Sequence, residues 1–274
     1  MFSKFNFFID EENFFRKMSD YKDCNDTELF EMYYNIGLRQ FSCYSKVFNK
    51  SIEKYLDAEK AIDISELEED WFNNKELEAD VFISHSHKDK DLAIAFAGVL
   101  NYEFKLKTFI DSCVWGDSNE LLRSMDEKYS RLNEDVPNEY YYKDTLITSS
   151  HVHMVLASAL MKMINKTECF IFLNTDNSTI SVIEEMSKVE DERTYSPWIY
   201  LEINTANLLN IIPPKREVFE KEAFNESVKS KFPIDMSSFI YLINEDLINW
   251  KNAYEDNKDI NSLDLLYKLN NGMF

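Results

Sequence analysis

Apolar residues follow a helical spacing from Asp26 to Ile62. Successive members lie three or four positions apart, with Gly37 on the same stripe. The stripe consists of Phe30, Tyr33, Tyr34, Phe41, Tyr44, Phe48, Ile52, Tyr55 and Leu56. Because this spacing puts them on one face, it predicts a long amphipathic helix. We interpret residues 1–77 as a helical N-terminal extension and residues 78–274 as an α/β domain with a C-terminal helical tail.

A different pattern begins at Ala79, where short apolar runs alternate with longer helical patterns. The runs, rich in β-branched and aromatic residues, predict strands at 79–84, 107–111, 168–173 and 238–243. The intervening patterns predict helices at 92–100, 144–164 and 196–210. Because these strands are apolar on both faces, we expect both faces of the sheet to be buried. This indicates a parallel sheet covered by helices on both sides. The predicted class is a doubly wound α/β fold, whose ligand crevice lies beyond the carboxyl ends of the strands.

The composition narrows the possible partners and the compartment. Fifty acidic against thirty basic side chains give a formal net charge of −20, which repels nucleic acid and anionic membrane surfaces. The four cysteines form no CxxC pair, and the first apolar stretch meets charged residues too soon for a signal peptide. We therefore expect a cytoplasmic protein that binds neither nucleic acid nor membrane.

Three segments at the ends of predicted strands carry a family pattern. The first is Val81-Phe82-Ile83-Ser84-His85-Ser86 with Asp89 after it, and the second is the loop from Val114 to Leu121. The third is Ser196-x-Trp198-x-x-x-Glu202. In this order they resemble box 1, the BB loop and the glutamate-bearing stretch of bacterial Toll/interleukin-1 receptor (TIR) domains. The resemblance covers roughly residues 78–245 and implies a flavodoxin-like sheet.

The resemblance also implies an activity. Glu202 would be the catalytic residue of an enzyme that cleaves the bond between nicotinamide and ribose in NAD, with NAD as substrate and neither a cofactor nor a metal. Substrate contacts would come from Phe82, Ser84, Ser86, Asp111, Trp115 and Trp198. In this family such enzymes often serve antiphage immunity. In Thoeris-type systems a nucleotide product, such as ADP-ribose or a cyclic isomer, reaches a separate effector. Self-association is expected because BB loops of the family mediate assembly.

The residues around Glu202 suit that chemistry. Ser196 has the side chain of a helix N-cap, and Pro197 suits the first helical position. Trp198 and Glu202, four residues apart, would share a helix face. Loss of nicotinamide as a neutral base leaves positive charge on the ribose, so a carboxylate in a partly dry crevice stabilises it without a general acid.

Two other interpretations stay open. Trp198 could be a core residue and Glu202 a surface acid, as in a non-catalytic TIR adaptor that works by protein association. Alternatively, the chain could be a nucleoside deoxyribosyltransferase, which shares the flavodoxin-like fold and a catalytic glutamate but acts on nucleosides.

Two histidine pairs have a spacing that raises the question of a metal site. His85 and His87, like His151 and His153, are spaced i, i+2. On a helix such side chains point about 200° apart, so His151 and His153 cannot hold one ion together. We expect no metal.

Overall fold

The computed structural model describes residues 1–10, 13–21, 23–56, 78–114, 118–132, 139–183, 190–209 and 234–270. The chain divides into two compact units. The first, called the sheet unit below, comprises Met1–Arg39, Ala79–Ile110 and Ile164–Phe274. The second, the helical unit, comprises Gln40–Glu78 and Asp111–Met163.

The described strands are β1 Ser3–Phe8, β2 Val81–Ser84, β3 Thr108–Phe109, β4 Cys169–Asn174, β5 Ile180–Ile183, β6 Glu190–Arg193 and β7 Ile240–Leu242. The helices are α1 Phe14–Met18, α2 Asp26–Leu56, α3 Lys90–Phe104, α4 Asp111–Val114, α5 Ser118–Tyr129, α6 Tyr142–Lys166, α7 Pro197–Leu208, α8 Asn244–Asp256 and α9 Ser262–Asn270. A 3₁₀ turn spans His87–Asp89. Among these described helices, none is both long and apolar enough to cross a bilayer.

The main sheet has five strands in the order β3-β2-β4-β1-β7, and every neighbouring pair is parallel. This confirms the α/β class, and each of the four predicted strands is present. If β2 is counted as the first strand, the order matches the flavodoxin-like arrangement 2-1-3-4-5. The fourth position is occupied by the N-terminal strand β1 and not by a strand that follows β4 in the sequence. The antiparallel hairpin β5-β6 forms a separate two-stranded sheet that the apolar pattern did not predict.

The strand β1 corrects the prediction that residues 1–77 form a helical extension. Ser3–Phe8 lies inside the sheet, paired with β4 on one side and β7 on the other. The segment is short, and Lys4 and Asn6 interrupt its apolar residues, so its pattern does not stand out. Only its partners provide the hydrogen bonds that make it a strand. The predicted helix at 26–62 is present as Asp26–Leu56, and residues 57–77 lie outside the described part of the chain.

Helices cover both faces of the sheet, as a doubly wound fold requires. On one face Phe7 packs against Phe96 of α3, and Phe5 stacks on Tyr267 of α9. On the other face the ammonium of Lys4 binds Asn207 Oδ1 of α7 at 2.5 Å. Successive residues of β1 therefore face opposite helical layers.

The aromatic stripe of α2 packs, in its first half, on the sheet unit itself. A Cβ atom on Gly37 would lie 2.2 Å from the carbonyl oxygen of Ile94, and one on Gly98 would lie 1.8 Å from that of Tyr33. Each helix thus places a glycine against the backbone of the other. The two backbones approach more closely than any side chain would allow, and the side chain of Tyr33 is fully buried.

The helical unit includes α4, α5 and most of α6. In it the carboxylate of Asp126, near the end of α5, accepts hydrogen bonds from Ser130 at 3.0 Å and from the hydroxyl of Thr148 on α6. An isolated antiparallel bridge joins Arg131 to Tyr140. These contacts tie the end of α5 to the first turns of α6.

Candidate functional site

The sheet has a switch point between β2 and β4. From β2 the chain moves outward to β3 at the edge, and it then returns to β4 on the other side of β2. In open α/β sheets, ligands bind in the crevice beyond the carboxyl ends of strands at such a point. Here β2 ends at Ser84 and β4 ends at Asn174.

Helix α7 begins as its sequence predicts. The side chain of Ser196 accepts a hydrogen bond from the backbone amide of Ile199 at 3.3 Å, and Pro197 occupies the first helical position. The cap satisfies one of the free amides at the helix N-terminus. Trp198 is half-buried in the first turn, and Glu202 follows one turn later on the buried side.

Ser84 and Glu202 form the central contact of the site. The hydroxyl of Ser84 donates to Oε2 of Glu202 at 2.5 Å, although the two residues lie 118 positions apart in the sequence. Ser84 has no exposed surface, and Glu202 is 2% exposed. A buried carboxylate is costly unless it is hydrogen-bonded, so the serine stabilises the acid where it lies. The contact joins the first and third segments of the family pattern.

A second polar contact links the loops beyond β2 and β4. The carboxylate of Asp89 accepts from the hydroxyl of Thr175 at 2.5 Å and from Nδ2 of Asn177 at 2.6 Å. Asp89 is itself buried. Asp89 belongs to the first segment of the family pattern, where its residue type alone indicated no role. Its two hydrogen bonds join the loop after β2 to the loop after β4.

The strand β1 brings residues to the site that the sequence analysis missed. Asn6 lies beside Phe172 of β4, and Phe172 lies beside Ser84 of β2. The three side chains thus form one row on the face beneath α7. Lys4, two residues before Asn6, bonds Oδ1 of Asn207 and the carbonyl of Ala206 at the end of α7. No local signal marks Asn6, because its position depends on the strand pairing alone.

The other predicted site residues have different environments. Phe82 is fully buried and stacks between Phe109 and Phe170, so it packs in the core. Ser86 is buried in the loop before the 3₁₀ turn. Asp111 is the half-buried first residue of α4 and belongs to the helical unit. Trp115 lies outside the described residues.

The four histidines differ in solvent exposure. His85 is buried, whereas His87, His151 and His153 are exposed. Nδ1 of His153 lies 2.7 Å from the carbonyl oxygen of Ser149, one turn earlier on the same helix.

One group of acids in the described chain has the spacing of a metal site: Asp20, Glu103 and Glu255. The ammonium of Lys251 lies 2.8, 3.2 and 3.4 Å from these three carboxylates, in that order. The lysine supplies the positive charge that a metal ion would otherwise bring, so the group is an ion-pair network.

Fold and site together define an α/β protein with a five-stranded parallel sheet and a buried serine–glutamate pair at its switch point. No protein-family model, no curated protein and no solved structure matches the chain.

Proposed function

We propose that the chain is an enzyme of TIR type that cleaves the nicotinamide glycosidic bond of NAD, with Glu202 as its catalytic residue. The observation that supports this proposal is the hydrogen bond between Ser84 and Glu202. Ser84 and Glu202 belong to two segments that the sequence assigned to one site, and they are in direct contact. The contact lies near the carboxyl end of β2, and α/β folds bind ligands beyond the carboxyl ends of their strands.

The proposed chemistry needs one negative charge beside the ribose. As the bond to nicotinamide breaks, its electron pair leaves with the ring nitrogen, and the neutral base departs. The ribose becomes an oxocarbenium-like cation, which the carboxylate of Glu202 stabilises. Ser84 is a positioning residue that fixes the orientation of the carboxylate. Capture by water gives ADP-ribose, and capture by a nitrogen of the adenine gives a cyclic isomer. In the antiphage setting of the family, this product would be the signal to a separate effector.

The burial of the pair sets a condition on this activity. Because Ser84 is fully buried and Glu202 is 2% exposed, the conformation described here is closed to substrate. We propose that it is a resting form in which the first turns of α7 cover the site, and that self-association or another trigger opens it. The same burial favours the alternative of a non-catalytic TIR adaptor, in which the pair is only a structural contact between helix and sheet.

The substitution Glu202→Gln tests the proposal. Its side-chain oxygen still accepts from Ser84, so the fold is retained while the charge is lost. We expect nicotinamide release from NAD to fall by roughly 100-fold or more, because the charge that stabilises the cation is gone. The assay incubates concentrated protein with NAD, and separately with nucleosides, and follows the released base by chromatography.

Glu245→Gln is the matched control, since Glu245 is an exposed acid in the first turn of α8. It should leave activity unchanged. Base release from nucleosides but not from NAD would favour a deoxyribosyltransferase. Release from neither substrate at high protein concentration or with phage lysate would favour the adaptor.

A further inference from the structure

The side chain of Asn6 has an unusual environment for a central strand. It is completely buried, yet neither Nδ2 nor Oδ1 forms a hydrogen bond with any residue that the structure describes. Leaving one such polar group unpaired costs about 1–3 kcal/mol, and buried amides in proteins are nearly always satisfied. Within the described residues, the side chain of Asn6 therefore has an unused donor, Nδ2, beside an unused acceptor, Oδ1. A ligand that carries an acceptor and a donor side by side would satisfy both.

Asn174 adds a second free donor at the same edge. It ends β4 and lies beside Phe8 in the register, one row beyond Asn6 on the same face. Its Oδ1 accepts from the hydroxyl of Thr179 at 2.9 Å, but its Nδ2 has no partner within the described chain. The face beneath α7 therefore has unmet hydrogen-bonding capacity on two adjacent strands.

The row across the sheet has a definite chemical order. It runs from Ser84, bonded to Glu202, through the ring of Phe172 to the amide of Asn6. Neighbouring strands lie about 4.8 Å apart, so the two ends of the row are roughly 10 Å apart. One helix contacts both outer strands of the row, because α7 binds Ser84 of β2 through Glu202 and Lys4 of β1 through Asn207.

This order matches the parts of nicotinamide riboside. The ribose belongs at the carboxylate, the cationic pyridinium ring suits an aromatic plate, and the carboxamide at the edge of the ring carries one donor group and one acceptor. An asparagine pairs with a carboxamide through two complementary hydrogen bonds. A carboxylate at the same place would still accept from Nδ2 of Asn6, but its second oxygen would face Oδ1 with no proton between the two acceptors.

Resting on the proposed function, we propose that Phe172 and Asn6 form the nicotinamide subsite of the opened enzyme, and that Asn6 selects the carboxamide of NAD over the carboxylate of nicotinic acid adenine dinucleotide. The subsite thereby includes a residue from the N-terminal strand, which lies outside the segment that resembles TIR domains.

The test measures kcat/KM of the 274-residue chain for both dinucleotides, in the wild type and in Asn6→Leu, at high protein concentration and with phage lysate. We expect the wild type to prefer NAD. In Asn6→Leu, kcat/KM for NAD should fall by about 10- to 100-fold while that for the acid analogue does not, because a buried amide pair is lost. The melting temperature should stay the same or rise, since an unpaired buried amide has been removed. Asn6→Ala, which adds no bulk, is measured in parallel in case leucine does not fit.

The possible outcomes distinguish failure of the proposed subsite at Asn6 from failure of the proposed NAD cleavage by Glu202. Equal use of both dinucleotides by the wild type, or an unchanged ratio in both Asn6 variants, would overturn the subsite, while base release that depends on Glu202 would still support the enzyme. If the wild type cleaves neither dinucleotide at high protein concentration or with phage lysate, the proposed function fails, and binding of NAD then tests the subsite. A rise in melting temperature with NAD that is lost in the Asn6 variants supports it, and no rise in the wild type overturns it.

Discussion

A single buried lysine shows how strongly one residue can depend on its neighbours. Lys251 is 5% exposed, and its ammonium contacts three carboxylates and the carbonyl oxygen of Met18. Burial alone lowers the pKa of Lys251, but the hydrogen bond to Asp20 and the charge of Glu103 more than offset it, so the pKa lies above its ordinary 10.5. The ammonium therefore stays charged at neutral pH and balances Glu103, which also accepts from Tyr33 at 2.5 Å.

Replacing that lysine should be costly. We expect Lys251→Met to lower the free energy of unfolding by about 3–5 kcal/mol, because it leaves the buried carboxylate of Glu103 without its counter-charge. Chemical denaturation measures the loss. Lys258→Met, at an exposed position of the same region, should stay within about 0.5 kcal/mol of the wild type. If the uncompensated charge is the cause, adding Glu103→Gln to Lys251→Met restores part of the stability. No recovery would show that packing of the lysine stem matters more.

At the scale of elements, α2 and α3 depend on two glycines that let their backbones touch. Glycine in a helix interior normally costs about 1 kcal/mol relative to alanine, so an alanine replacement would ordinarily stabilise a helix. Here the added methyl group would meet a backbone carbonyl, which cannot rotate away as a side chain does. The steric clash with the backbone of the neighbouring helix therefore outweighs the gain in helix propensity.

We accordingly expect Gly98→Ala to destabilise the protein by about 1–3 kcal/mol in spite of its better helix propensity, since the two helices must separate. The shift in the urea midpoint measures it. Glu31→Ala, on the exposed side of α2, serves as the control for helix propensity and should be neutral or slightly stabilising. A Gly98→Ala variant as stable as the wild type would mean that the crossing is looser than its geometry indicates.

Helix α7 shows which parts of an element its own sequence encodes. Its cap and first turn follow from Ser196 and Pro197, and Glu202 falls on the buried side because of its distance from them. The partner of Glu202 does not follow from the helix. It follows from where β2 ends, and Ser84 becomes that partner only when the helix packs on the sheet.

At the scale of the whole sheet unit, the N-terminal strand is part of the core. β1 has β4 on one side and β7 on the other, so without it two strands would lose their hydrogen-bonding partners. An unpaired strand interior leaves buried amides and carbonyls unsatisfied, which a sheet cannot tolerate. We therefore expect this segment, which the sequence assigned to a helical extension, to be needed for folding.

Deletion of residues 1–9 should abolish cooperative unfolding of the sheet unit, as followed by circular dichroism during denaturation. A matched pair of substitutions makes the test local. Phe5→Asp places a charge at a fully buried position, whereas Phe8→Asp does so at a residue that is 38% exposed, so only the first should unfold the protein. A truncated chain that still unfolds cooperatively would show that the sheet unit folds without β1.

The sequence by itself determined the alternation of strands and helices, the start of α7 and the side of that helix on which Glu202 lies. These depend on periodicity and on caps, which act within a few residues and leave a local pattern. The tertiary structure alone decided that residues 3–8 are a central strand, that Ser84 meets Glu202, and that Asn6 shares their row. Each of these depends on pairing between segments far apart in the chain, and such pairing is chosen by the combined packing of the whole core.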